Sequence, residues 1–106
     1  MGTIVYNKVV RDRIPDIIRA AGKTCRVSVL SEEAFIDGLR DKLTEEVEEY
    51  RQSKSVEELA DIVEVVQGIL HLSGLTWEAF EALRAKKREE RGGFEDHLYL
   101  VEVTEP

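Results

Sequence analysis

Residues 43–50 read LTEEVEEY, four glutamates in eight positions. Which way these glutamates point decides the fold. All four facing water would make this a solvated, salt-tolerant helix face, whereas two turned inward could hold a metal. At about 100° per residue the two faces separate cleanly. Phe35, Leu39, Leu43, Val47 and Tyr50 form an apolar stripe roughly 120° wide. Glu46 projects inside that stripe, close to Leu39, and Glu49 lies at its edge, about 40° outside Phe35. Glu45 lies further out and Glu48 points away, so both are expected to stay with solvent. Periodicity therefore selects Glu46 and Glu49, three apart and neighbours on one face.

The next helical stretch, SKSVEELADIVEVVQGILHLSG, is apolar around most of its circumference. Leu59, Val63, Val66 and Leu70 make one stripe. Ile62, Val65, Ile69 and Leu72 widen it to roughly 240°, the mark of a helix covered on most sides. Glu58 projects within the second sector, and Asp61 lies just beyond it. Glu57 and Glu64 occupy the remaining polar strip. The second pair is Glu58 and Asp61, again three apart.

Working outward, Ser31 caps the first long helix, whose acidic first turn suits the helix dipole and which runs to about Gln52. Ser55 and Glu58 stand in capping-box spacing at the start of the second, with Gly74 near its end. A third helix starts at Thr76 and stops at Gly92 and Gly93. Before all of these, YNKVVRDRIPDIIRAAGK reads as a basic segment followed by a short helix, with Pro15 in its first turn and Gly22 at its end. TCRVSVL (24–30) and HLYLVEV (97–103) alternate like strands and are expected to pair. The expected fold is mainly α with a small two-stranded β-sheet, in one domain spanning residues 1–106.

The 106 residues are 42% hydrophobic and 35% charged, which fits a globular chain and not a disordered one. A formal net charge of −7 argues against docking on nucleic acid or an anionic membrane. It leaves room for a nucleotide held through divalent cations, which supply the missing positive charge. The one cysteine, Cys25, forms no internal disulfide and reads as strand filler, and no Cys/His cluster suggests zinc. No signal peptide or apolar run of membrane length is read from the chain, so a reducing cytoplasm is the expected compartment.

Four carboxylates, two per helix, facing a shared interior repel one another unless protonated or bridged by cations. Hard divalent ions such as Mg²⁺ or Mn²⁺ answer that need, since they prefer carboxylate and water oxygens. The ordinary alternative, a capping box at Glu58 with surface charges elsewhere, stays open on spacing alone.

EEVEEY followed by EELADIVEVV resembles the ExxE…ExxD signature of the all-α nucleoside triphosphate pyrophosphohydrolases, the MazG-like superfamily. YNKVVRDRIP, KLTEEVEEY, EELADIVEVV, RGGF and HLYLVEV together look like one small branch, described as phosphoribosyl-ATP pyrophosphohydrolase-like or as house-cleaning pyrophosphatases. The resemblance runs from about Tyr6 to Val103, and its motif falls on Glu46, Glu49, Glu58 and Asp61. One departure is that only eight residues separate Glu49 from Glu58, fewer than in many superfamily members, so the link between the helices must be tight.

The resemblance implies Mg²⁺-dependent hydrolysis of a nucleoside triphosphate between its α and β phosphates, giving a nucleoside monophosphate and pyrophosphate. The four carboxylates would hold the metal, with Glu49 and Glu46 catalytic and Glu49 the first choice of general base. Lys8, Arg11 and Arg13, with Lys87 and Arg91 on the last helix, are the candidate phosphate partners. Each group has an ordinary alternative: a salt-bridged N-terminal segment for the first three, dipole-favoured cations at a helix end for the other two. The RGGF glycines are first a helix stop. Trp77, Phe35 and Tyr50 read as core before base-stacking groups, and His71 as surface. So much apolar circumference implies a four-helix bundle made from two chains, hence a homodimer or higher oligomer. Two other functions stay in view: the phosphoribosyl-ATP step of histidine biosynthesis, and a non-catalytic helical dimerisation module.

Overall fold

Local capping chemistry sets the helices of the computed structural model, which describes residues 2–106. They are α1 (Ile14–Ala20), α2 (Glu32–Ser53), α3 (Val56–Leu72) and α4 (Trp77–Arg91). Pro15 sits in the first turn of α1, and Gly22 follows it with φ of 81°. Ser31 Oγ accepts from the Ala34 N–H at 3.2 Å at the start of α2, and Thr76 Oγ1 accepts from the Ala79 N–H at 3.1 Å at the start of α4. Gly92, φ 85°, ends α4 where the expected glycine stop falls. No single helix among the described residues is long and apolar enough to cross a membrane.

The chain divides into two compact units, Met1–Leu75 and Thr76–Pro106. In the first, α2 and α3 pack as a hairpin joined by Lys54 and Ser55 alone. Their register is antiparallel: Gly68 of α3 faces Leu39 of α2, and seven residues on and seven back Glu46 faces Asp61. Leu39 and Val65 are buried with Val9 of the N-terminal segment, and Phe35, Leu43, Ile69 and Leu72 pack around them. Gly38 makes room for that segment, because a Cβ there would run into the Val9 side chain. A Cβ at Gly68 would lie 3.3 Å from Leu39 Cδ1, so both glycines serve close packing within helices. The second unit holds α4, on which Trp77 and Phe80 lie 5.6 Å apart between ring centres and Arg84 pairs with Glu81, while Arg88 pairs with Glu95 beyond the helix.

The expected two-stranded sheet is not formed: among the described residues neither 24–30 nor 97–103 is a strand. Val29 is fully exposed, and Leu98, Tyr99, Leu100 and Val101 nearly so. Alternation in a sequence marks a face that suits a pleated sheet, but a strand exists only with a ladder partner, and two isolated strands are marginal in water. Cys25 is accordingly not strand filler. It is half-buried, with its Sγ 4.0 Å from the Pro15 carbonyl oxygen.

Candidate metal centre

The acidic site is a consequence of hairpin register. Because Lys54 and Ser55 close the hairpin, three residues beyond the Glu46–Asp61 pair bring Glu49 toward Glu58. Lys54 turns the chain with a left-handed φ of 57° while its N–H still donates to the Tyr50 carbonyl at 2.7 Å. Ser55 caps α3 by accepting from the Glu57 N–H at 3.3 Å. The reciprocal half of the expected capping box is absent: the Ser55 N–H donates to Ser53 Oγ at 3.1 Å. The Glu58 carboxylate is thereby free to turn into the helical interface.

There, carboxylate oxygens of Glu46, Glu58 and Asp61 lie within 4.8 Å of one another. Glu46 is buried, at 7% exposure, on a helix whose neighbouring Glu48 and Glu49 face water. Glu46 Oε2 and Glu58 Oε2 are both sealed from solvent without a hydrogen-bond partner. Such orphaned acceptors are costly, and carboxylates in this state call for a proton or a cation. Burial, and then the adjacent Glu49 carboxyl, pushes the Glu46 carboxyl above its ordinary value, against a smaller opposing pull from Lys42. Loss of solvation also raises Glu58, helped by Asp61 and Glu46 and opposed by Glu49. Both carboxyls are raised first by withdrawal from water and then by the negative charge of neighbouring acids.

Glu49 belongs to the same neighbourhood but stands at its exposed rim, outside the group of three. Of the four acids that the helical period turns inward, Glu46, Glu58 and Asp61 are gathered and Glu49 stands beside them. Glu45 differs from expectation. It is half-buried, and its carboxylate accepts from Lys8 Nζ at 2.7 Å, which holds the Glu45 carboxyl below and the Lys8 ammonium above their ordinary values.

The N-terminal cations are engaged with these acids. Arg11 donates to Asp61 Oδ1 at 2.7 Å, and Lys8 also lies 5.7 Å from the Tyr6 ring centre. Arg13 is exposed at the N-cap of α1. Lys87 and Arg91 are exposed on α4, in the second unit. Phe35 lines a cavity on the first unit, Tyr50 is half-buried, and His71 is exposed as expected.

That cavity, about 230 Å³, lies between the N-terminal segment, α2 and α3. Val9, Phe35, Leu39 and Val65 give it apolar walls, and Arg11, Lys42, Glu46 and Asp61 give it charge. Lys42 is the residue that sequence reasoning passed over. Its side chain is 14% exposed, with Nζ 3.4 Å from Glu46 Oε1. The helical projection carried the signal, since Lys42 falls about 20° from Phe35, on the inward side of α2.

No protein-family model matches the chain, and no solved structure matches it. An uncharacterized protein of Mycolicibacterium smegmatis is 48% identical over 44 residues. The aligned stretch covers 42% of this chain and 45% of that protein, so the similarity spans less than half of either.

Proposed function

We propose that the chain is a Mg²⁺-dependent nucleoside triphosphate pyrophosphohydrolase of the MazG-like kind, cleaving between the α and β phosphates of damaged or non-standard nucleotides. One observation carries this reading: two buried carboxylate oxygens without partners, on Glu46 and Glu58, within a three-acid cluster that only together with Glu49 at its rim has the spacing ExxE…ExxD. Oxygen donors alone, several of them anionic, suit Mg²⁺ or Mn²⁺ better than a soft metal. Glu46, Glu58 and Asp61 would hold the ion, which when bound neutralises phosphate charge and makes water a better nucleophile. Glu49, exposed at the rim and adjacent to Glu46 and Glu58, is suited to accept a proton from the attacking water. Arg11 contributes positive charge beside the cavity, and Lys8 and Arg13 of the same unit are further candidates for the phosphates.

A homodimer goes with this reading. Leu59 and Val63 on α3 and Val47 on α2 are more than two-fifths exposed, although they belong to the apolar stripes. A second copy laying its hairpin on them would complete a four-helix bundle. A reducing, cytoplasmic setting fits an intracellular nucleotide substrate.

The test is pyrophosphate release over a panel of standard, damaged and phosphoribosyl-linked nucleotides with Mg²⁺, comparing wild type with Glu49→Gln and Asp61→Asn. Wild type is expected to release pyrophosphate from at least one of them, and each variant to lose about 100-fold or more in kcat. Undiminished variants would remove the proposed site. No release from any nucleotide would favour a non-catalytic dimerisation module.

A further inference from the structure

The acidic cluster is balanced from within by two cations that line the same cavity, Lys42 on Glu46 and Arg11 on Asp61. A lysine is among the residues least often withdrawn from water, and a half-buried one beside a buried glutamate needs a reason. Helix stabilisation is a poor one. A Lys preceding a Glu by four residues is the weaker orientation of that pair, because glutamate on the N-terminal side suits the helix dipole better. Nor does an ion pair withdrawn from most of its water add much stability, since desolvation of both groups offsets their attraction. The contact itself is loose: 3.4 Å exceeds an ordinary N–H···O hydrogen bond, and the second Glu46 oxygen has no partner. Lys42 is close enough to compensate charge without being locked to its carboxylate.

We propose that Lys42, with Arg11 as its companion, is a positioning residue that serves two ligands in opposite senses: it holds down the affinity of the cluster for a divalent cation and raises the affinity of the adjoining cavity for phosphate. The inference rests on the proposed metal-dependent function and names two cations that regulate its site. A divalent ion reaching Glu46 and Asp61 meets positive charge already beside both carboxylates, and Coulomb repulsion weakens its binding. Once the carboxylates are shared with that ion, the ammonium and guanidinium face the cavity with charge to spare for an anion. A residue that merely scaffolds the cluster would move both affinities the same way.

Mn²⁺ binding, read from the free-ion electron paramagnetic resonance signal without nucleotide, separates these cases. Lys42→Met is expected to bind Mn²⁺ roughly three- to tenfold more tightly than wild type. Calorimetry at saturating Mn²⁺ is expected to show pyrophosphate binding weakened by about tenfold. Lys42→Arg should follow wild type in both. Arg11→Gln, altering an exposed side chain that should not disturb folding, is expected to repeat the opposite-signed pattern and serves if Lys42→Met fails to fold. Mn²⁺ binding that is unchanged or weaker in both charge-removing variants would overturn the proposal while leaving the metal site standing. Wild type that binds no Mn²⁺ would overturn this inference and the metal-dependent function together.

Discussion

The α2–α3 interface has two ends of opposite chemistry. At one, Leu39 meets Gly68 and Val65 beneath Val9, and the contact is apolar and close. Seven residues along α2, Glu46 meets Asp61 and Glu58, and two carboxylate oxygens are buried without partners. The same two helices and the same register produce both. Burial of hydrocarbon at the first end stabilises the hairpin, whereas burial of carboxylate at the second opposes it unless a proton or cation intervenes. A protein that places its small core beside such a cluster gains from the apolar end the stability that lets the acidic end exist.

The sharpest way to break this contrast is at the apolar end. Leu39→Ala removes one of the few buried apolar side chains and should cost about 2–4 kcal/mol, read as a fall in the urea midpoint at unchanged slope. Val29→Ala, at a fully exposed position, should stay within about 0.5 kcal/mol. Equal effects of the two would mean that Leu39 and Val65 are not the core of this hairpin.

The acidic end should respond to pH with the reverse of the usual carboxylate behaviour. Glu46 and Glu58 are raised above the ordinary value of 4.5, so folding favours their protonated forms. Their contribution to stability is fully present below 4.5 and is lost as pH rises through their higher folded values. Glu45, lowered by Lys8, has the opposite sign: its contribution is present above 4.5 and is lost as pH falls through the lowered value. Glu46→Gln isolates the first effect. In chelator, its melting temperature relative to wild type should climb as pH rises above the 4.5 of an unperturbed glutamate. In millimolar Mn²⁺ the order should reverse at neutral pH, because a ligand that binds the native state stabilises it and the glutamine binds the ion poorly. A difference that stays flat with pH, with or without Mn²⁺, would deny that burial and the neighbouring acids raise the Glu46 carboxyl.

The two ends were not equally legible in the sequence. Helix boundaries follow from short-range chemistry, Ser31, Thr76, Pro15 and Gly92 each acting within a turn, and inward-facing Glu46 and Glu58 follow from the helical period. Charge partners are another matter. Glu45 looked solvated because nothing on α2 itself covers it. Lys8, 37 residues earlier, does so only after the N-terminal segment folds across. Lys42 was masked differently, since a cation four residues from a glutamate on an acidic helix resembles an ordinary surface pair. The sheet failed for the same non-local reason, as alternation in 24–30 and 97–103 reports what each stretch could pair with, not whether a partner arrives.

The smallest expected effect lies at the link that gives both ends their register. Lys54 holds a left-handed φ of 57°, a conformation that costs a side chain with a Cβ but not glycine. Lys54→Gly should relieve that cost, partly offset by the greater freedom of glycine in the unfolded chain, for a net gain of about 0.5–1 kcal/mol in urea unfolding. The hydrogen bond from the residue 54 N–H to the Tyr50 carbonyl belongs to the backbone and survives the change. The two-residue link therefore keeps its length and its turn, and Glu49 stays beside Glu58. Mn²⁺ affinity should accordingly remain that of wild type while stability rises. A destabilised Lys54→Gly would show that the left-handed turn is not what closes the hairpin. Stability gained together with altered Mn²⁺ affinity would show instead that the Lys54 charge reaches the carboxylates, and the contrast between the two ends would then extend into the loop.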